Sequence, residues 1–148
     1  MSENKIIHTP LELFGIECGK GWYQLITPII EYIDNYNSNL SEEEHINIIQ
    51  IKEKWGTLQI YTNYHTDELF KMKSEAEKAS WNTCETCGSK KYVGHTDSYI
   101  SVCCIDCLKE QVGQRWFKKW THHLTNKTYD ITKGTINDVM DEVKKSEK

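Results

Sequence analysis

Residues 84–107, CETCGSKKYVGHTDSYISVCCIDC, contain five of the six cysteines of the chain. Cys84 and Cys87 form one C-x2-C pair, and Cys104 and Cys107 form a second pair after 16 intervening residues. This spacing is typical of a site in which four thiolates bind one zinc ion. The pattern therefore predicts a zinc ribbon in this segment.

The second pair has an alternative, because Cys103 would give a C-x3-C spacing with Cys107. A two-residue spacing lets both thiolates of a tight turn face one ion, so we predict Cys104 as the ligand. Gly88 suits the first turn, where a positive φ is often needed. Cys103 is then a small apolar residue at the end of a strand. His95 in place of one cysteine is the main variant of this ligand set, but we expect His95 to be a solvated loop histidine.

A zinc ion with four protein ligands has no open position for water or substrate, so the predicted site is structural. The N-terminus shows no basic segment followed by an apolar one, as a secretion signal would. We therefore expect a cytoplasmic protein with reduced cysteines rather than a disulfide framework. Cys18 is predicted to be a buried thiol and not a nucleophile, since no Cys/His/Asp pattern surrounds it.

The chain has 148 residues and a formal net charge of -4, with 38% hydrophobic and 27% charged residues. Its charge is uneven: residues 1–108 carry 9 basic and 16 acidic groups, whereas residues 109–148 carry 9 and 6. Phosphate contact needs a basic face, so only the C-terminal part is suited to nucleic acid. The apolar runs are too short to cross a membrane.

Helical spacing predicts a first helix that begins at Thr27-Pro28 or one turn earlier. The apolar face of this helix consists of Trp22, Leu25, Ile26, Ile29, Ile33 and Tyr36. Residues 45–51 are β-branched and close to period two, residues 52–56 suit a turn, and residues 57–63 alternate well. These three segments predict a β-hairpin.

A second helix is predicted over residues 67–81, with Thr66 as its N-cap. Its buried face would consist of Leu69, Met72, Ala76 and Ala79. Helical spacing also predicts a helix after the second cysteine pair, through Leu108, Val112, Trp116, Phe117, Trp120 and Leu124. A last helix would run from Thr135, as cap, through Val143.

The predicted fold class is α+β, with a small antiparallel hairpin or sheet, flanking helices, a four-cysteine zinc ribbon and C-terminal helices. The predicted organisation is an α+β body over residues 1–81, the ribbon over 82–108 and a helical arm over 109–148. Most of the four residues Trp22, Trp55, Tyr61 and Trp81 are expected in the core.

Four motifs follow one another along the chain: Cys-x2-Gly-Trp at 18–22, IKEKWGTLQIY at 51–61, AEKAS at 76–80 and CETCG at 84–88. Together they resemble a family of small zinc-ribbon proteins found in bacteriophages and prophages. The resemblance covers residues 13–108. It implies a phage origin, action in a bacterial cytoplasm and zinc, and it implies no particular activity.

The sequence lacks the motifs of common catalytic sites, such as H-E-x-x-H, a phosphate loop or a nucleophile elbow. Adjacent His122 and His123 would point about 100° apart on a helix and could not easily share one ion. We therefore expect a binding protein rather than an enzyme.

Three kinds of partner are compatible with the sequence. A host protein, whose defence or regulatory role would be modulated, is the main prediction, and nucleic acid and a small nucleotide signal are the alternatives. The predicted binding residues for a macromolecule are Arg115, Trp116, Lys118, Lys119 and Trp120. A nucleotide pocket is predicted near Trp55 or Tyr61, with Lys52 and Lys54 for phosphate.

Overall fold

The structure is a computed structural model that describes residues 15–113 and 117–148. It is an α+β fold, as predicted, with two small sheets and four α-helices in the described residues. The strands are β1 (Ile16–Glu17), β2 (Ile48–Lys54), β3 (Thr57–Thr62), β4 (Val93–Thr96), β5 (Val102–Cys104), β6 (Lys119–His122) and β7 (Thr128–Asp130). The helices are α1 (Tyr23–Asn37), α2 (Asp67–Ser80), α3 (Ile105–Gln111) and α4 (Ile136–Ser146).

The first sheet has the order β1-β2-β3, with β1 parallel to β2 and β2 antiparallel to β3. The predicted hairpin is confirmed, but its first strand starts and ends later than predicted. The pairing of Lys54 with Thr57 leaves only Trp55 and Gly56 in the turn. Charged residues 52–54 continue the strand because each of them pairs with a residue of β3, and this pairing is not visible in a sequence rich in lysine and glutamate.

Helices α1 and α2 pack with the first sheet around an aliphatic core. Helix α1 begins at Tyr23, one turn before Pro28, which therefore lies inside the helix. Helix α2 begins as predicted, since the Thr66 side chain accepts a hydrogen bond from the Leu69 N–H at 3.0 Å. The aliphatic core residues here are Ile26, Ile29, Ile33, Ile46, Ile48, Ile51, Leu58, Ile60 and Leu69.

The second sheet is antiparallel, with the order β5-β4-β6-β7. Its central strands come from two predicted parts of the chain, because β4 lies in the predicted ribbon and β6 in the predicted arm. Helices α3 and α4 lie beside each other at this sheet, joined by an ion pair between Lys144 and Asp106 at 2.9 Å. The division into body, ribbon and arm stays a prediction.

The helix predicted through residues 108–124 is wrong. Helix α3 ends at Gln111, and Gly113 has a φ of +105°, which no helix continues through. In β6, exposed Lys119 is followed by buried Trp120 and half-buried Thr121 by buried His122, a period of two. The aromatic spacing in this segment fits both periods, and pairing with β4 selects the strand. Trp116 lies outside the described residues.

Glu147, directly after α4, forms hydrogen bonds to residues at the second sheet. Its Oε2 accepts from the Tyr92 N–H at 2.9 Å and lies 2.5 Å from Nε2 of His122, whose side chain is fully buried. The predicted last helix is confirmed as α4, although the Thr135 side chain makes no capping bond to it. None of the described helices is long and apolar enough to cross a membrane.

Candidate metal centre and interaction surface

The first cysteine pair lies in a tight turn soon after α2. The Gly88 N–H donates to the Cys84 carbonyl at 2.9 Å, and Gly88 has a φ of +83°, as its sequence position suggested. The Cys87 N–H points at Sγ of Cys84, at 3.5 Å. Amide donation to a sulfur favours the thiolate, so this turn is prepared to hold a metal ligand.

The second pair lies where a strand meets a helix. Cys104 is the last residue of β5, and Cys107 lies in the first turn of α3. The four Sγ atoms of Cys84, Cys87, Cys104 and Cys107 all lie within 4.8 Å of one another. The Cys87 and Cys104 sulfurs are 3.7 Å apart. A tetrahedron with metal–sulfur bonds of about 2.3 Å has edges of about 3.8 Å, so the four thiols could bind a metal ion.

The remaining candidates do not join this cluster. Cys103 is fully buried within β5, and its carbonyl accepts from the Trp120 indole N–H at 3.2 Å. His95 is half-buried on β4, and its Nδ1 lies 2.9 Å from Nε2 of His123. It is therefore neither in the cysteine cluster nor a solvated loop histidine.

The electrostatics of the cluster favour a cation. A hydrogen bond from the Cys104 thiol, together with nearby backbone N–H groups, lowers the pKa of Cys84 to about 4. Burial, and then the charge of Cys84, raises the pKa of Cys107 to about 12, and the pKa of Cys104 is also raised. One thiolate thus opposes ionisation of its neighbours. A divalent cation removes this conflict, because it stabilises all four thiolates.

The cysteine turn is bound to the N-terminal part of the described chain. The Gly21 N–H donates to the Glu85 carbonyl at 2.8 Å, and the Trp22 indole donates to the Thr83 carbonyl at 2.8 Å. A Cβ on Gly21 would lie 2.1 Å from the Cys84 carbonyl oxygen, so only glycine permits this approach. The C-x2-Gly-Trp motif therefore has a structural reason for its glycine.

Cys18 lies beside this contact and is half-buried. Burial, followed by the charges of Glu85 and Glu53, raises the pKa of its thiol to about 12. The thiol is less buried than predicted, and its structural role stays a prediction.

A cluster of three rings, which the sequence did not indicate, joins the end of α2 to the second sheet. The Trp81 ring packs on His123 with a centroid distance of 4.4 Å and on His95 at 4.8 Å. His122, the neighbour of His123, instead stacks on Trp120, so the two adjacent histidines do belong to different environments. Adjacent residues of an extended chain point to opposite sides, so the two histidines are separated here even more widely than a helix would have separated them.

The predicted binding residues divide into three groups. Lys118 and Lys119 are exposed, whereas Trp120 is fully buried and is not available to stack on a ligand. Arg115 and Trp116 lie outside the described residues. The described basic residues of this segment, Lys118 and Lys119, thus lie on the surface, whereas its described aromatic residues, Trp120 and Phe117, form core.

Large exposed aromatic side chains lie outside the predicted binding segment, residues 115–120. Trp55, in the hairpin turn, is 75% exposed, and Tyr99, in the loop between β4 and β5, is 64% exposed. The expected core placement is wrong for Trp55 and Tyr61, since Tyr61 is also 36% exposed. The four motifs contain two tryptophans, Trp22 and Trp55, and of these Trp22 is fully buried.

The hairpin turn and the β4–β5 loop lie side by side and enclose a cleft of about 220 Å³. We call residues 53–55 and 98–100, which line this cleft, the two-loop surface. Gly56 brings the two loops together: a Cβ there would lie 2.7 Å from the Trp81 ring and 2.9 Å from Ile100. The sequence suggested a pocket near Trp55, and nothing in it indicated that Tyr99 would complete one.

Both loops are held by internal hydrogen bonds. The Gly56 N–H donates to the Glu53 carboxylate at 2.8 Å. Asp97 accepts from the Lys118 and Lys119 N–H groups at 2.9 and 3.0 Å, and the Thr96 hydroxyl donates to the Tyr99 carbonyl at 2.7 Å. The exposed rings therefore lie on loops that hydrogen bonds tie to themselves and to β6.

Comparison of the chain with protein-family models, with curated proteins and with solved structures finds no match.

Proposed function

We propose that the protein is a non-enzymatic binding protein of phage type, stabilised by one structural zinc ion, that binds a host protein through the two-loop surface. The metal part of this proposal is supported by the donor set. Four thiols at tetrahedral spacing favour a borderline-soft ion with no preferred geometry of its own, which describes zinc.

The zinc assignment is tested by a matched pair of variants. Cys104→Ala removes a ligand, so the purified protein should lose its zinc, as measured by plasma mass spectrometry. Cys103→Ala changes the neighbouring buried cysteine and should retain one zinc per chain. Zinc loss in the second variant and retention in the first would reverse the ligand assignment.

The binding part of the proposal is carried by Trp55. Trp55 and Gly56 both have positive φ, 54° and 85°, which is the conformation of a type I′ turn. Asparagine is favoured at the first of these positions, and a bulky residue there costs about 1 kcal/mol. The chain thus places its largest side chain in a strained, exposed position where it makes little contribution to folding.

Strain of this kind is typical of residues that act on a partner. Tryptophan and tyrosine dominate the energetics of protein interfaces, because each buries a large rigid surface at small conformational entropy cost. Trp55 and Tyr99 lie on loops that a rigid scaffold fixes, which lowers the entropy lost on binding. A protein interface would bury both exposed rings, Trp55 and Tyr99, at the same time.

The experiment uses Trp55→Asn, which the turn favours. The variant should unfold at the same or a higher temperature than the wild type, by up to about 1 kcal/mol of added stability. It should also fail to retain a stoichiometric partner from a bacterial lysate, identified by mass spectrometry and confirmed by titration of the purified partner. Phe70→Ala, which removes another exposed aromatic ring on α2, should bind normally.

Loss of stability in Trp55→Asn would show that Trp55 serves the fold. Equal partner retention by wild type and Trp55→Asn would contradict the proposed surface. A partner lost on nuclease treatment would favour nucleic acid, for which Lys118 and Lys119 remain exposed.

A small nucleotide is the second candidate ligand, because the cleft contains Lys54 beside the two aromatic rings. Such a ligand would raise the melting temperature of the purified protein in proportion to its occupancy. A panel of mononucleotides and cyclic dinucleotides tests this directly.

A further inference from the structure

The four cysteines of the candidate metal centre differ in their exposure to solvent. Cys84 and Cys104 are buried, with 0% and 2% of their surface exposed, and Cys107 is half-buried. Cys87 is exposed. Oxidation of cysteine follows accessibility and thiolate character. Cys87 is therefore the cysteine of this centre that a small oxidant in water meets first.

The neighbour that an oxidised Cys87 would meet is Cys104. The Sγ atoms of Cys87 and Cys104 lie 3.7 Å apart. A disulfide brings two sulfurs to about 2.05 Å, so one of them must move. Cys104 is fixed at the end of β5 by pairing with Val93, whereas Cys87 lies in a turn outside the helices and strands. Movement of the Cys87 side chain and its turn closes the distance.

Metal binding and oxidation compete for the same sulfur atoms. A thiol binds zinc as the thiolate, which is also the form that attacks a peroxide. A sulfur in a disulfide carries no negative charge and is a poor ligand. A disulfide between Cys87 and Cys104 would leave two of the four thiolates, which is fewer ligands than structural zinc sites use. Oxidation of this one pair is therefore enough to release the ion.

We propose that Cys87 is an oxidation site through which a peroxide releases the metal ion, with Cys104 as the resolving cysteine. This inference rests on the proposed zinc site and adds its regulation. The Cys87 thiolate attacks one peroxide oxygen: the S–O bond forms, the O–O bond breaks, and hydroxide leaves, which gives a sulfenic acid. The Cys104 thiolate then attacks the Cys87 sulfur, the S–S bond forms, and a second hydroxide leaves. Two electrons pass from the two sulfurs to the peroxide, and two protons from solvent convert the hydroxides to water.

This oxidation would also reach the two-loop surface. Strand β5 ends at Cys104, and residues 98–100 of the surface lie in the loop that leads into this strand. Glu85, two residues before Cys87, donates its N–H to the Val102 carbonyl of β5 at 3.1 Å. Loss of the metal bonds therefore loosens the strand that holds one side of the cleft, and a peroxide would disable the binding surface.

The experiment treats the purified zinc protein with hydrogen peroxide in the presence of a chromophoric zinc indicator. We expect release of one zinc ion per chain together with loss of two of the six thiols, counted after denaturation. A dithiol reductant with added zinc should restore both. Hydrogen exchange should show that residues 93–104 lose amide protection in the oxidised protein and regain it after reduction.

Tryptic digestion locates the disulfide. The first cysteine pair lies in one peptide, residues 79–90, and the three cysteines of residues 103–107 lie in another, residues 92–109. The expected disulfide links these two peptides, and fragmentation should identify Cys87 and Cys104 as its members. A 1,3-diketone that traps sulfenic acids, added together with substoichiometric peroxide, should label Cys87.

A matched pair of ligand variants tests the role of Cys87. Cys87→His and Cys107→His each leave three cysteines and one histidine, a ligand set that also binds zinc. Cys87→His lacks the exposed thiolate and should release zinc at least about tenfold more slowly in peroxide. Cys107→His keeps the reacting pair and should release zinc within about twofold of the wild-type rate. Zinc content and thermal melts establish that both variants fold; if either does not, the disulfide map of the wild type decides.

The two cysteines outside the centre are controlled with Cys18→Ala/Cys103→Ala, which keeps only the four proposed ligands. This double variant should respond to peroxide as the wild type does.

The outcomes separate this inference from the proposed function. Wild-type protein that purifies without zinc would contradict both. Zinc that stays bound in peroxide, a disulfide within residues 79–90, or thiol loss that disappears in Cys18→Ala/Cys103→Ala would overturn the oxidation site and leave the zinc site standing. Equal rates of zinc release from Cys87→His and the wild type would have the same meaning.

Discussion

The two sheets of this protein are stabilised in different ways. The region of residues 15–81 has strands of two, seven and six residues and a core that is mostly aliphatic, with Trp22, Asn37 and Ser80 also buried. The region of residues 82–148, in its described part, has strands of three or four residues. Its buried groups include His122, Thr96, Thr83 and three cysteines, beside valines, isoleucines and Trp120.

The two regions should therefore differ in how far their stability depends on hydrogen bonds and metal bonds of defined geometry. Aliphatic burial contributes about 25 cal/mol per Å² and needs no particular partner. Buried polar groups stabilise a fold only while their partners are in place, and short strands offer few backbone hydrogen bonds. We therefore expect the first region to fold on aliphatic burial and the second to depend on the metal.

Chelation provides the largest test of this comparison. Structural zinc contributes on the order of 10 kcal/mol in small zinc-binding peptides, which is comparable to the whole stability of a single domain. Removal of zinc should abolish amide protection in β4 to β7 and α3, and should leave α1, β2, β3 and α2 largely protected. Hydrogen exchange with mass spectrometry measures both regions in one sample.

Because β6 pairs with β4, we expect the loss of amide protection to extend beyond the cysteine segment, residues 82–108. Loss restricted to residues 82–108 would show that β6 and β7 stand without the metal. Uniform loss over both regions would show that the contact between the cysteine turn and Gly21 couples them into one cooperative unit.

A glycine in the centre of the second sheet gives the next largest effect. A Cβ on Gly94 would lie 2.2 Å from the Thr121 carbonyl oxygen and 2.4 Å from the Trp120 ring. Gly94→Ala should therefore lower the free energy of unfolding by about 3 kcal/mol, since a buried β6 must move. Gly134→Ala is the control, because its nearest neighbour would be 3.7 Å away. Urea unfolding monitored by tryptophan fluorescence compares the two variants.

Equal stability of Gly94→Ala and Gly134→Ala would contradict the close packing of β4 on β6. If the destabilised Gly94→Ala protein also loses amide protection in the first region, the two regions unfold together.

The sequence predicted most of the first region because its periodicities are strong. The faces of α1 and α2 and the Thr66 cap could be read directly. The aliphatic residues of these faces are mostly buried, whereas Leu25, Met72 and Ala79 are half-buried. The cysteine cluster was equally accessible, since two-residue spacing within each pair constrains the thiols locally. In both cases the signal lies within about 20 residues of sequence.

The second region could not be predicted in the same way. Trp120 fits a helical face and a strand face equally well, and only pairing with β4, about 25 residues upstream, decides between them. The Trp81 cluster and the bond between Glu147 and His122 join residues that are distant in sequence. Trp55 is exposed because it lies in a two-residue turn. The sequence does not show where this turn begins, because the strand before it continues through charged residues 52–54.

A smaller effect is expected from His123 in the ring cluster. Burial, and then the neighbouring His95, lowers the pKa of His123 from 6.5 to about 4. The unfolded chain therefore binds more protons than the folded one between these values. The stability contribution is complete above pH 6.5 and decreases as the pH falls toward 4.

His123→Phe keeps a ring against Trp81 and removes this titration. Because His123 is only partly buried, solvent screening reduces the effect to about 1–2 kcal/mol. The difference in unfolding free energy between wild type and variant should change by this amount between pH 7 and pH 4.5. Protonation of the metal ligands affects both proteins alike and cancels in the difference. A constant difference across this pH range would contradict the buried, neutral state of His123.

The smallest effect tests the independence of the first region. Thr66 caps α2 through its bond from the Leu69 N–H, and its hydroxyl also lies 2.7 Å from the Tyr32 hydroxyl on α1. Thr66→Ala should destabilise the first region by about 1 kcal/mol. Thr66→Ser retains the oxygen and should lose less than half of that. Because no metal ligand is involved, the rate at which a chelator removes zinc should equal that of the wild type.

Faster zinc release in Thr66→Ala than in Thr66→Ser would show that the end of α2 transmits its stability to Cys84, only a few residues further along the chain. The two regions would then share one unfolding equilibrium despite their different cores.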